Sequence, residues 1–139
     1  MQEARYWRIP SSASGALEPL SQGRQPMTDM VKIQYLIRNY INGIDVGFVA
    51  HPSFVSEAEF VSISGPLSIA AAETDTIFPV ENRHKSEEIL RKIGVPFQIN
   101  LFSKTEHGFA VRGDPKVKSQ KFAKERAFQQ AVDWFNEYI

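Results

Sequence analysis

Hydrophobic positions change period several times along this chain of 139 residues. Val31, Ile33, Leu36, Ile37, Tyr40 and Ile41 approximate one face of a helix, and Gly43 stands where its C-terminal cap would fall. Ile44-Asp45-Val46-Gly47-Phe48-Val49-Ala50 follows as a nearly continuous apolar run, the texture of a strand covered on both faces. Two more runs, 67–72 and 96–102, read as strands. Between them, 82–93 carries Ile89, Leu90 and Ile93 on one helical stripe, with Gly94 as its stop. At the C-terminus Phe128, Ala131, Val132, Phe135 and Ile139 recur at helix spacing while Lys, Glu and Gln face out. Strands alternating with helices predict βαβ units, hence an α/β fold whose short, mainly parallel sheet is flanked by helices in three layers.

Residues 1–30 break this pattern. Pro10-Ser11-Ser12-Ala13-Ser14-Gly15, then Pro19, Gly23 and Pro26, interrupt the stretch without any helix or strand period. The expected organisation is therefore an irregular or flexible segment, 1–30, ahead of a single domain, 31–139. Sixteen basic and sixteen acidic residues cancel, which argues against a nucleic-acid surface or a polybasic membrane anchor. The absence of cysteine excludes disulfides, thiolate metal sites and a cysteine nucleophile within these residues. No apolar run approaches the ~18 residues of a membrane span, and the Met-Gln-Glu-Ala-Arg start is too polar for a signal peptide, so a cytoplasmic location is the default expectation.

The candidate chemistry follows from topology. In doubly wound sheets functional groups collect at the carboxyl ends of the strands. Asp75 lies just beyond the strand at 67–72, and His107 a few residues beyond the strand at 96–102, so both should reach one edge of the sheet. A histidine can take the proton of a hydroxyl or thiol nucleophile, and a carboxylate can fix its tautomer and stabilise the imidazolium. Acid before histidine is also the α/β-hydrolase order. A purely structural role competes: on spacing alone, Asp75 as the end of a strand or the cap of a helix opened by Pro79 is the slightly better reading. His107 before a glycine could equally be an ordinary loop histidine. His51-Pro52-Ser53 points to the same edge, but a turn after a buried strand accounts for it better. His84 reads as a solvated helix residue, and no histidine spacing supports a metal site. The cations of 116–124 read as the solvated start of a helix. Phe102, Phe109 and Trp134 are most simply core residues, although Phe109 could line a pocket.

Three separated stretches together, Asp45-Val46-Gly47-Phe48-Val49-Ala50-His51-Pro52-Ser53-Phe54, Gly65-Pro66-Leu67-Ser68-Ile69-Ala70-Ala71-Ala72-Glu73-Thr74-Asp75 and Glu106-His107-Gly108-Phe109, resemble the dienelactone hydrolase family, its fungal and other eukaryotic members most closely. The resemblance runs from about Ile44 to the C-terminus. It implies part of an α/β-hydrolase fold and cofactor-free hydrolysis of a small lactone or carboxylic ester, with Asp75 as the family acid and His107 as the family base. Arg112 is the nearest match to an arginine that holds a substrate carboxylate in some bacterial members, though its offset differs slightly, and Phe109 is the apolar candidate beside it. The family's G-x-C-x-G nucleophile elbow has no counterpart here, and upstream only Ser12 and Ser14 lie near a glycine. Three expectations follow: a hydrolase whose elbow is missing from this chain, an inactive truncated remnant, or a gene model that lacks an upstream half. The remnant would self-associate through an exposed apolar sheet edge at Val46 and Phe48.

Overall fold

The computed structural model describes residues 7–8, 18–19 and 45–139. The helix expected near 31–41 and the irregular character expected of 1–30 thus lie outside the described residues, apart from one short ladder. In that ladder β1 (Trp7–Arg8) pairs antiparallel with β2 (Glu18–Pro19).

The main sheet is parallel, as the alternation of elements predicts. Its strands are β3 (Gly47–Ala50), β4 (Leu67–Thr74) and β5 (Phe97–Glu106), in spatial order β3-β4-β5. Gly47 pairs with Leu67 and Leu67 with Phe97, so the three strands start level and end at a common carboxyl edge. Between β3 and β4 lies α1 (Glu57–Val61), which the hydrophobic pattern does not announce. Its signal is local. Ser56 accepts from the Glu59 amide while the Glu59 carboxylate accepts from the Ser56 amide at 2.6 Å, a reciprocal capping box spelled Ser-x-x-Glu. The next helix, α2 (Val80–Ile93), ends on Gly94 at φ 75°, as its glycine stop predicts. After β5 come a single turn, α3 (Phe109–Arg112), and the long α4 (Lys118–Tyr138).

Alternation along the strands divides the core into two layers. Val49, Leu67, Ile69 and Ala71 face Phe60, Phe78, Ile89 and Leu90 on the side of α1 and α2. Val46, Phe48, Ala70 and Ala72 face Ala123, Ala127, Ala131, Trp134 and Phe135 on the side of α4. Residues 67–72 of β4 are buried on both faces, which explains their unbroken apolar texture. Full burial of a Leu or Ile side chain is worth about 1.5–3 kcal/mol, so the side chains of Ile69 and Leu90, both at 0% exposure, anchor this layer.

Two expectations are corrected here. The side chains of Val46 and Phe48 are not exposed, at 7% and 8%, because they pack in the layer of α4, although β3 is an edge strand among the described residues. Phe128 and Ile139 belong to the outer face of α4, at 60% and 61% exposure. Ala131 and Phe135 are buried as expected, and the buried stripe continues through Ala123, Ala127, Gln130 and Trp134. The alanines at 123, 127 and 131 let the helix approach the sheet closely, while Trp134 and Phe135 fill the space at its C-terminal end. Gln130 clips the two layers together by donating from Nε2 to Ser68 Oγ at 2.8 Å and to the Ile69 carbonyl at 3.1 Å.

Candidate active site

Each of the three strands delivers one loop to the carboxyl edge, and the three loops meet. The loop after β4 carries Asp75, which is 8% exposed. Its Oδ1 accepts from the amides of Ile77 and Phe78, both at 2.9 Å, folding the chain into a tight turn ahead of α2. The structural and the chemical readings of Asp75 are therefore both satisfied: one oxygen shapes the turn while the carboxylate also faces His107.

His107 reaches Asp75 because β5 is irregular. The register runs evenly to Ala72↔Phe102 and resumes at Thr74↔Glu106, with two extra residues on β5. Lys104 takes a left-handed φ of 57° in this bulge, and its amide donates to Glu73 Oε2 at 2.6 Å. Such bulges bend a strand and re-aim the residues beyond it. Gly108, at φ 90°, then turns the chain, and its carbonyl accepts from the Val111 and Arg112 amides at 3.0 and 2.8 Å to start α3. His107 is thus held between a bulged strand end and a helical turn.

The two side chains pair closely. His107 Nδ1 lies 2.9 Å from Asp75 Oδ2 and 3.1 Å from Oδ1. Burial works against charge on Asp75, but the His107 hydrogen bond and the Phe78 and Ile77 amides outweigh it and hold its carboxyl below the usual carboxylate range. An ionised carboxylate only accepts, so Nδ1 carries the proton and donates. In the neutral imidazole, Nε2 is then an acceptor. What faces Nε2 is a hydroxyl: Ser53 Oγ, at 3.2 Å.

Ser53 comes from the turn after β3 and is 4% exposed. Sequence reasoning placed His51-Pro52-Ser53 at this edge but assigned it to a plain turn, and the structure brings it into line with the other two groups. The topological signal was the same one that marks Asp75 and His107, namely a polar group just past a parallel strand. His51 lines the site as well. Its ring meets His107 edge-on at 4.9 Å and Phe109 at 5.9 Å, and burial, followed by the neighbouring His107, pushes its pKa down to about 4. It stands beside His107 as a neutral wall.

The remaining candidates occupy the rim and the floor. Phe109 is buried and meets the His51 ring edge-on and the Phe102 ring at a tilt. Arg112 is exposed; its guanidinium folds over Gly108 and donates from Nη2 to the His107 carbonyl at 3.3 Å. His84 is exposed on α2, as its reading as a solvated helix residue expects. A cleft of about 390 Å³ bordered by Ile99, Leu101, Phe102 and Phe122 contains none of Ser53, Asp75 or His107. Among the described residues, no three His, Cys, Asp or Glu side chains are disposed to hold a metal ion, and no helix is long and apolar enough to cross a membrane.

A parallel sheet with helices on both faces, and an acid–histidine pair on consecutive loops at its carboxyl edge, defines part of an α/β-hydrolase. The chain belongs to the dienelactone hydrolase family, whose family model matches residues 33–139. It is 54% identical over 107 residues to hydrolase tropI of Talaromyces stipitatus, covering 76% of this chain and 42% of that protein. It is also 52% identical over 107 residues to hydrolase pyvD of Aspergillus violaceofuscus, covering 76% of this chain and 44% of that one. In three dimensions it is similar to a protein from Klebsiella pneumoniae subsp. pneumoniae MGH 78578 assigned as a dienelactone hydrolase. The TM-score is 0.62 at 14% identity, over 78% of this chain and 48% of the other, a likeness of fold. The chain therefore spans less than half the length of the relatives it matches.

Proposed function

We propose that this chain supplies the acid–base pair of a hydrolase acting on a small lactone or carboxylic ester, with Asp75 and His107 in those roles. The observation that carries this reading is the 2.9 Å contact from His107 Nδ1 to Asp75 Oδ2, which leaves Nε2 free to accept a proton from a nucleophile. In the first step a hydroxyl or thiol attacks the carbonyl carbon and its proton passes to Nε2. Asp75 stabilises the imidazolium, which then returns the proton to the departing alcohol. Water cleaves the acyl intermediate by the same proton relay. Arg112, on the rim beside His107, is placed to attract an anionic substituent of the substrate, and Phe109 backs the site with an apolar floor.

The G-x-C-x-G elbow of the family does not occur in these 139 residues, so the family's own nucleophile is not among them. A second reading, a non-catalytic remnant that associates with another copy, draws support from the exposed Leu101, Phe122 and Phe128 around β5 and α4. Turnover of a small activated ester by the folded chain separates the two. Catalysis should fall to background in His107→Ala, since removing a triad base costs on the order of 10⁶ in turnover. Turnover that is equal in the two proteins would overturn the hydrolase reading and leave the remnant.

A further inference from the structure

We propose that Ser53 is the acyl-accepting nucleophile of a site contained within this chain, Ser53–Asp75–His107. The proposal rests on the hydrolase reading above and adds to it the residue that the absent elbow leaves open.

Three independent observations support it. The first is contact: Ser53 Oγ is 3.2 Å from His107 Nε2, within the reach at which a base activates a hydroxyl, while Asp75 orients that base from the opposite nitrogen. The second is order: serine, acid and histidine occur at 53, 75 and 107, the chain order of α/β-hydrolase triads. The third is the backbone. A nucleophile elbow is a strained strand–turn–helix unit that pushes its serine out at the top of the sheet. Here β3 runs into His51-Pro52-Ser53-Phe54 and then into α1. His51 and Phe54, on either side, take left-handed φ values of 40° and 51°. Such values in non-glycine residues cost on the order of 1–3 kcal/mol each and persist only where the surroundings enforce them. The His51 amide donates to the Ala70 carbonyl at 2.7 Å, Pro52 limits the chain between the two strained residues, and the Ser56–Glu59 box anchors the far side. The result is a strained turn that points Ser53, at 4% exposure, inward to His107, where a nucleophile elbow would present its serine outward. The surroundings suit proton transfer: Ser53, His51 and Asp75 are all buried, and the neutral His51 places no positive charge beside the imidazolium that forms.

The reaction balances with water as the only co-reactant. Ser53 Oγ bonds to the carbonyl carbon of an ester or lactone as its proton moves to His107 Nε2. Collapse of the tetrahedral adduct breaks the carbon–oxygen bond to the leaving alcohol, which takes that proton. Water then attacks the acyl-Ser53 ester, releasing the carboxylic acid and restoring the serine hydroxyl. For a lactone, the acid and the alcohol remain in one molecule.

The test uses the 139-residue chain with a small organofluorophosphonate, which loses fluoride on capture by an activated serine, and separately with p-nitrophenyl acetate. Intact mass and peptide mapping should show one adduct per chain, on Ser53. The adduct should be lost in Ser53→Ala and should form at least about 100-fold more slowly in His107→Ala. The variant Ser53→Cys should be alkylated by iodoacetamide at least about tenfold faster than the same cysteine beside His107→Ala, and circular dichroism confirms that each variant is folded. No adduct in the folded wild-type chain, or an adduct on another residue, overturns the assignment. Ester turnover that depends on His107 but survives Ser53→Ala also overturns it, while leaving the hydrolase reading intact. Turnover indifferent to both substitutions removes both.

Discussion

Replacing Asp75 by asparagine tests the electrostatics of the site most directly. The substitution keeps shape and volume, and an amide oxygen at the Oδ1 position can still accept from the Ile77 and Phe78 amides, now 2.9 Å away. The other position becomes an NH₂ group 2.9 Å from His107 Nδ1. Two donors cannot face each other there, so unless the ring turns to the retained oxygen, 3.1 Å from Nδ1 in the wild type, the imidazole shifts its proton to Nε2 and accepts at Nδ1. Nε2 then donates to Ser53 Oγ, and no base remains on that side. The triad precedent for this tautomer reversal is a loss of about 10⁴ in kcat with the geometry intact. Stability should fall less, because one charge-assisted hydrogen bond worth about 1.5–3 kcal/mol is exchanged for a neutral one. Its pH dependence is specific. The folded pKa of Asp75 lies below its unfolded value of 3.8, so the carboxylate's contribution is fully present above that value and fades as pH falls through the lower folded value. The melting temperatures of wild type and Asp75→Asn should differ by a constant amount near neutrality and converge in acid. Steady-state ester hydrolysis at pH 7 and thermal melts from about pH 7 to 2 measure the two effects. Activity within tenfold of wild type, or a melting difference that does not change with pH, would refute the tautomer argument.

Two further outcomes follow from packing and backbone. Gly108→Ala forces a side chain onto a residue at φ 90° and drives its Cβ into the Arg112 guanidinium, so a destabilisation of about 1–3 kcal/mol and a displaced His107 are expected. A urea midpoint and ester turnover both at wild-type values would show that the left-handed turn does not hold the histidine. Leu90→Ala empties a fully buried position beneath the sheet and should cost about 2–5 kcal/mol. Because Leu90 packs in the layer of α1 and α2, the rate measured well below the melting temperature should stay close to wild type, and a large loss of rate with little loss of stability would count against this separation.

The pairing of Asp75 with His107 was legible because a parallel sheet converts sequence position into place. Any polar residue just past a strand arrives at the carboxyl edge, so Asp75 and His107 could be paired across 32 residues from strand positions alone. The strand lengths were less legible. β5 was expected to stop at 102, yet it continues to Glu106 through a bulge at Lys104, a residue whose type gives no hint of a left-handed backbone. The face of α4 was misread at Phe128 for a related reason. Hydrophobicity marks that residue as core, whereas the close approach of helix and sheet selects the alanine row and leaves the ring outside. Ser53 was the costliest omission. Its place beside His107 lies between left-handed residues, a histidine and a phenylalanine, conformations that sequence patterns assign to glycine or asparagine.

The same irregularities that sequence reading misses are what complete the site. In-register parallel strands alone would end level, leaving the loops to spread over the edge as their lengths allowed. The two extra residues of β5 carry His107 over the Asp75 turn, and the strained turn after β3 brings Ser53, 54 residues upstream, against the opposite face of the imidazole. The Lys104 amide is held by the Glu73 carboxylate and the His51 amide by the Ala70 carbonyl, so two of the left-handed residues are tied to β4. If strain at His51 and Phe54 exists to present Ser53, then relieving it with glycine at Phe54 should stabilise the fold while loosening the Ser53–His107 contact. Higher thermal stability with slower phosphonate capture is the expected pair of changes. A gain in stability with unchanged capture would mean that the turn is shaped by packing alone.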